Sequence, residues 1–110
     1  MEIKTRRVDQ VLVVEITGKL DTQSSGPASE EMARIVQDGN SKILLNLRNL
    51  EFLSSAGLRV LLRTTKLLPE PEGRMMICQA KGVVKEVLEI SGFDDFIDVH
   101  DTEAVALEAF

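Results

Sequence analysis

Two kinds of apolar segment alternate along most of this 110-residue chain. Lys42 to Leu47 and Arg74 to Gln79 are short and continuously apolar at their centres, as in strands that are buried on both faces. From near Ser55 to Pro69, apolar residues instead recur at spacings of three and four, which is typical of an amphipathic helix. Alternation of this kind predicts parallel strands joined by right-handed helical crossovers.

The flanking segments complete this pattern. Ile3 to Val8 and Val11 to Thr17 are rich in β-branched residues and predict an antiparallel hairpin. Pro27 suits the first position of a helix that Gly39 can end. The predicted fold is therefore α/β, with a mixed, mainly parallel sheet, an N-terminal antiparallel pair and helices packed on the sheet. At this length we expect a single domain over residues 1–110.

The pattern also assigns buried faces and the last elements. The second helix is expected to turn Leu58, Leu61, Leu62 and Thr65 inward. The third helix is expected to turn Val83, Val84, Val87 and Leu88 inward and to end at Gly92. A final strand over Phe96 to Val99 and a helix capped by Asp101 or Thr102 complete the predicted order.

Composition removes several classes of function. The net charge is −5 and the basic residues are scattered, so no nucleic-acid partner is expected. Cys78 and His100 are the only residues of their types, so we expect no disulfide and no zinc site, and Cys78 reads as a small buried residue. No apolar run approaches the roughly 18 residues of a membrane span, and the N-terminus does not resemble an export signal. We therefore expect a cytoplasmic protein without direct membrane insertion.

Catalytic constellations are also missing from the sequence. Leu53 stands where the first glycine of a G-x-S-x-G elbow would lie, and there is no Walker A or G-x-G-x-x-G loop. His100, the one imidazole, falls at a strand end, and the adjacent acidic pairs read as helix-start and turn residues. We expect neither enzymatic activity nor a cofactor.

The run from Phe52 to Leu62 places two hydroxyls, on Ser54 and Ser55, in front of an apolar helix. The free N–H groups of a helix's first turn favour a phosphate there, although a serine in this place is more often a helix cap. Ala56 and Gly57 are small and are expected to leave the approach open. This loop follows the third predicted strand. Since the loop with Asp21 follows the second strand at the same edge, we expect the two loops to lie close together.

These residues, taken together, resemble a STAS domain. The resemblance rests on the element order, on Gly18-x-Leu20-Asp21 after the second strand, and on Phe52-Leu53-Ser54-Ser55-Ala56-Gly57-Leu58. More narrowly, the chain is similar to the anti-sigma factor antagonists of bacterial partner-switching systems. In that family a serine in a pattern close to Asp-Ser-[Ser/Thr/Ala]-Gly-Leu is phosphorylated by an anti-sigma factor that is also a kinase.

Alignment on Gly57-Leu58 implies that Ser55 is the phosphoacceptor. Ser54 stands where many members carry aspartate, so a second hydroxyl replaces a negative charge and is the alternative acceptor. Gly57→Val would add a β-branched side chain in the first turn beside this acceptor, and we expect it to remove kinase recognition with a modest loss of stability.

The resemblance implies a partner-binding surface as well. Its members are Asp21, Thr22, Ser54, Ser55, Ala56, Gly57 and Arg59. Two of these residues have an alternative interpretation. Asp21 is also typical of a turn, and Arg59 is also typical of a solvated position on a helix.

The partners implied by the resemblance are an anti-sigma factor that acts as a serine kinase and a PP2C-type phosphatase. The sequence does not decide whether the chain forms a dimer. The alternative function is that of a STAS accessory or scaffold protein of a transporter or signalling assembly.

Overall fold

The computed structural model describes residues 1–110 and contains six strands and four α-helices. The strands are β1 (Glu2–Val8), β2 (Val11–Leu20), β3 (Lys42–Asn46), β4 (Leu50–Leu53), β5 (Arg74–Cys78) and β6 (Asp98–His100). The helices are α1 (Ser25–Gln37), α2 (Ser55–Leu67), α3 (Gly82–Ile90) and α4 (Glu103–Glu108), with one 3₁₀ turn at Phe93–Asp95. The predicted α/β alternation is confirmed.

One mixed sheet organises these elements, with strand order β1-β2-β3-β5-β6. β1 and β2 form the predicted antiparallel hairpin, and every other strand pair is parallel. β3 and β4 both pair with β2, β3 along its first half and β4 at its C-terminal end. The short β4 thus pairs with the part of β2 that extends beyond its pairing with β3.

Alternate residues of the strands face opposite sides of the sheet, and the two sides differ in size. The core between the large face and helices α1, α2 and α3 comprises 21 buried residues, including those that the helices contribute. The core between the small face and the short helix α4 comprises only six, one of which, Ala106, belongs to α4. Leu44 and Leu45 are neighbours in β3 and both fully buried, yet they belong to the small and the large face respectively.

The strand prediction was wrong in three places. β2 runs to Leu20 and not to Thr17, because Gly18 to Leu20 pair with β4. β4 was missed because its four residues, with Glu51 and Phe52 exposed at the centre, show neither alternation nor a continuous apolar run. The loop with the two serines consequently follows the fourth strand and not the third. The last strand runs from Asp98 to His100, because Gly92 in a left-handed conformation (φ 75°) leads into the 3₁₀ turn and leaves Phe96 59% exposed.

Helix faces were predicted less well than helix positions. α2 buries Gly57, Val60, Leu61 and Thr64, whereas Leu58, Leu62 and Thr65 are only partly buried. The helix is rotated in this way because Gly57, which lacks a side chain, lies against the sheet. In α3 the predicted inward residue Val83 is half-exposed, because Val84 and Leu88 define the buried side.

Helix ends followed local sequence rules more closely. α1 ends before Gly39, whose φ is 98° and whose N–H donates to Val36 O at 3.0 Å. Thr102 caps α4 by accepting the Val105 N–H at 3.2 Å, as expected. Pro27 is the third residue of α1 and not the first, since the helix begins two residues earlier.

Candidate functional site

The ends of β2 and β4 bring the two predicted loops together. Leu20 and Leu53 are register partners in the parallel pair, and both are buried. The Ser54 N–H donates to Leu20 O at 3.0 Å, and the next residue after Leu20 is Asp21. The expected proximity of the Asp21 and Ser54 loops is therefore confirmed, although the strand that carries the second loop is β4.

Ser54 is the N-cap of α2. Its backbone is extended (φ −92°, ψ 173°), and its hydroxyl accepts the Gly57 N–H at 3.2 Å. The same oxygen lies 3.4 Å from Leu20 O. The Ser54 side chain is part-buried, and its hydrogen bonds hold the start of the helix against the end of β2.

Ser55 is the first residue of α2 and is exposed. Its hydroxyl has no hydrogen-bond partner within the chain, in contrast to that of Ser54. No acidic residue occupies the first turn of α2, so nothing on the helix itself offsets the positive end of its dipole. The two serines thus differ in accessibility although they are adjacent in sequence.

Asp21 forms the turn between β2 and α1. Its Oδ1 accepts the N–H groups of Gln23 at 3.0 Å and Ser24 at 3.1 Å. The Ser24 N–H is the main reason that the pKa of the Asp21 carboxyl lies below its usual value, with help from the Ser24 hydroxyl and the Gln23 N–H. Asp21 remains partly exposed and Thr22 beside it is exposed, so both can be reached by a partner.

Gly57 fills a different role from the one predicted. A Cβ at this position would lie 2.6 Å from Leu20 O and 2.8 Å from a methyl group of Leu53. Backbone cannot yield at such distances, so only glycine allows the first turn of α2 to approach the end of β2 this closely. The expectation that Gly57→Val would bring only a modest loss of stability is therefore wrong, and Gly57 supports the site from beneath.

Ala56 and Arg59 lie along a groove between α1 and α2. The groove is open to solvent, has a volume of about 280 Å³ and is also lined by Arg63. Nη1 of Arg63 donates to Ser29 Oγ at 2.9 Å and so links the two helices. Arg63 was not among the predicted site residues, although Ser55, Arg59 and Arg63 follow one another at intervals of four residues, which places them on one side of a helix.

Neither of the remaining chemistry-bearing residues joins this site. Cys78 and His100 are register partners in β5 and β6, away from α2. Burial raises the pKa of the Cys78 thiol to about 12, with a smaller effect of the Glu103 carboxylate in the same direction. Its burial confirms the interpretation of Cys78 as a core residue. No helix of the protein is both long enough and apolar enough to cross a membrane.

Comparison with known proteins agrees with this architecture. The profile of the STAS domain family matches residues 2–106. A Bordetella bronchiseptica relative named as an anti-sigma factor antagonist, BtrV, is 33% identical over all of this chain and 95% of its own length. The anti-sigma F factor antagonist of Paenibacillus polymyxa is 32% identical over 97% of this chain and 92% of its own.

A solved structure gives the same result for the fold. The crystal structure of an anti-sigma factor antagonist from Mycobacterium paratuberculosis superposes with a TM-score of 0.89 and 25% identity, covering 98% of this chain and 92% of the other. The sheet order, the helix positions and the loop before α2 are thus those of a known family. The chain belongs to the STAS domain family, and its relatives over almost their full length are anti-sigma factor antagonists.

Proposed function

We propose that this chain is an anti-sigma factor antagonist of a cytoplasmic partner-switching pathway. In the unphosphorylated state it binds an anti-sigma factor that is also a serine kinase, and phosphorylation of Ser55 ends the complex. It contributes a binding surface and a phosphoacceptor, and no catalysis of its own. The names of its relatives support the general role, and the geometry of the two serines supports the acceptor.

The single observation that carries the assignment is the contrast between Ser54 and Ser55. Phosphorylation of Ser54 would remove the cap of α2, because its oxygen already accepts the Gly57 N–H and lies against Leu20 O. Ser55 Oγ is exposed and has no partner to give up. A kinase can therefore reach Ser55 without opening the fold, and we assign the phosphate to it.

Phosphorylation moves the γ-phosphoryl group of ATP to the Ser55 hydroxyl. Ser55 Oγ forms a bond to the γ-phosphorus of ATP while the bond from that phosphorus to the β–γ bridging oxygen breaks. ADP leaves and the hydroxyl proton passes to a base of the kinase. A PP2C-type phosphatase restores the hydroxyl by hydrolysis, in which water attacks the phosphorus and the Ser55 oxygen leaves with a proton.

The charge of the product explains the switch. A phosphoserine carries about −1.5 to −2 charges, and the helix dipole stabilises a charge there by about 0.3–1 kcal/mol. The fold therefore tolerates the group. In a docked interface shaped for a neutral hydroxyl, the same dianion costs several kcal/mol, and even about 3 kcal/mol weakens a complex roughly a hundredfold.

The surface offered to the kinase combines the ends of β2 and β4. Asp21 and Thr22 present a partly exposed turn, while Ser54 and Gly57 fix the helix start on which Ser55 is displayed. Ala56 and Arg59 extend the surface into the groove between α1 and α2. These contacts support the proposal that the predicted partner-binding residues form one surface around the start of α2.

The test is a pull-down from source-cell lysate with ATP, followed by phosphopeptide mapping. Wild type and Ser55→Ala are compared, with Ser54→Ala as the matched control that removes the neighbouring hydroxyl. We expect a small kinase to be held more strongly by Ser55→Ala, and phosphate on Ser55 in both wild type and Ser54→Ala. Phosphate on Ser54 alone would contradict the acceptor assignment. Absence of a kinase and of phosphate on both serines would favour the transporter-accessory or scaffold function instead.

A further inference from the structure

Two arginines of α2 share the groove between α1 and α2. Arg59 and Arg63 are one turn apart and both line it. Its other lining residues are small, hydroxyl-bearing or apolar: Ser25, Gly26, Ser29, Ala56 and Val60. No carboxylate lines the groove, although acidic residues outnumber basic ones 18 to 13 in the chain.

The positive charge of this groove is not neutralised within the chain. The four ion pairs of the structure are formed by Lys4, Arg6, Arg34 and Arg74. Arg63 is held in place by its hydrogen bond to Ser29 Oγ, a neutral acceptor. Arg59 is exposed and has no hydrogen-bond or ion-pair partner. Two guanidinium groups that line one groove without an anion are suited to receive one.

Ser55 lies where its side chain can supply that anion. Residues four apart on a helix are neighbours on its surface, and a helical side chain covers the turn that precedes its own Cα. The side chain of Arg59 therefore extends over the turn that begins with Ser55, while Ala56, between them in sequence, adds only a methyl group at the groove.

We propose that the groove between α1 and α2 is an intramolecular receptor for the phosphoryl group of phosphorylated Ser55, with Arg59 as its direct ligand and Arg63 as a second, Ser29-anchored cation. This inference rests on the proposed function, because it concerns the phosphorylated state of the same serine. It adds the place where the phosphoryl group goes. The phosphate is drawn along α2 into the groove and is held by the domain itself.

The receptor is tested on the chain alone, without a kinase. Phosphoserine is incorporated at position 55 during translation, and the second ionisation of the phosphate, which normally occurs near pH 6, is followed by ³¹P NMR. A guanidinium in contact with the phosphate favours the dianion. We therefore expect Arg59→Gln to lower the second acid dissociation constant about three- to fivefold, and Arg63→Gln about twofold.

Lys66→Gln is the matched control, since it removes one positive charge from the last turn of the same helix, outside the groove. It should leave the ionisation of the phosphate almost unchanged. Equal effects of Arg59→Gln and Lys66→Gln, with circular dichroism showing both proteins folded, would overturn the receptor. Since the phosphate is installed without a kinase, this failure is distinct from the finding that cells do not phosphorylate Ser55.

Discussion

The two faces of the sheet are made by the same strands but are held in different ways. The core on the large face comprises 21 buried apolar residues, shared between the sheet and three helices of nine to thirteen residues. The core on the small face comprises six buried residues, shared between the sheet and α4, which is six residues long. There, polar contacts supplement the packing: Glu103 accepts from Arg6 and, at 3.1 Å, from Asn46 Nδ2.

This difference bears on where the candidate site lies. α2 packs on the large face, where Gly57 contacts Leu20 and Leu53, so Ser55, the proposed acceptor, stands on the most extensively packed part of the molecule. If Ser55 is presented both with and without a phosphate, a rigid core beneath α2 keeps the surrounding surface in the same shape in both states, so that less ordering is needed on binding. Elements with few buried contacts open most readily, which predicts that motion concentrates around α4 instead.

The sharpest test of the comparison uses two neighbours in β3. Leu45→Ala on the large face should cost about 4 kcal/mol, and Leu44→Ala on the small face about 2–3 kcal/mol, because the thin layer beneath α4 can collapse around the missing side chain. Both residues are fully buried, so exposure does not explain a difference. Urea denaturation measures both free energies of unfolding. Equal costs would show that the faces are equally rigid.

A second test asks how tightly α2 is held at the site. Gly57→Ala places a methyl group 2.6 Å from Leu20 O, and we expect a loss of about 3 kcal/mol as the helix start is forced away from the sheet. Gly26→Ala is the matched control in the first turn of α1, where an added Cβ meets nothing within 4 Å. It should be neutral or stabilise the protein by up to about 1 kcal/mol. Thermal unfolding reports both, and a well-tolerated Gly57→Ala would contradict the close approach.

Local patterns were enough to predict much of this arrangement. The β1–β2 hairpin, the end of α1 at Gly39 and the cap at Thr102 depend on a few adjacent residues, and the prediction held for each. The closeness of Asp21 to Ser54 followed from a general property of parallel sheets, in which the C-terminal ends of strands meet at one edge.

What could not be predicted depends on contacts between distant parts of the chain. β4 is a strand only because the end of β2 is available to pair with it. The role of Gly57 depends on Leu20, and the link between α1 and α2 depends on Arg63 meeting Ser29. Which of the two serines has a free hydroxyl likewise required knowing that Ser54 lies against Leu20 O. Of the features in this site that were missed, only the four-residue spacing of Ser55, Arg59 and Arg63 is visible in the sequence alone.

The polar contacts of the small face predict a dependence on pH. Burial alone would raise the pKa of Glu103, but the hydrogen bonds from Arg6 and Asn46 outweigh it and the pKa is lowered. A lowered pKa stabilises the folded state above the unfolded value, which is about 4.3, and this stabilisation is lost as the pH falls through the folded value.

Glu103→Gln should therefore lower the free energy of unfolding by about 1 kcal/mol at pH 7, since the exposure of Arg6 limits the strength of the pair. The difference from wild type should shrink below about pH 4.5. Chemical denaturation across this pH range measures it. Glu108→Gln, on the exposed side of the same helix, serves as the control and should show no such trend. A cost that is constant with pH would exclude the ion pair as its source.

The smallest expected effect is on the rate at which Cys78 is labelled, and it distinguishes local detachment of α4 from global unfolding. Cys78 lies in the small face beneath α4, and its thiol, with a pKa of about 12, reacts with thiol reagents at pH 7.5 only when it is exposed. If α4 detaches by itself, Glu103→Gln should raise the labelling rate about fivefold, the equivalent of roughly 1 kcal/mol. Ile35→Val, a change of similar cost on the buried side of α1 on the large face, should leave the rate unchanged, because it does not ease the departure of α4. Equal acceleration by both substitutions would mean that the thiol is reached only by global unfolding, and the two faces would then open as one.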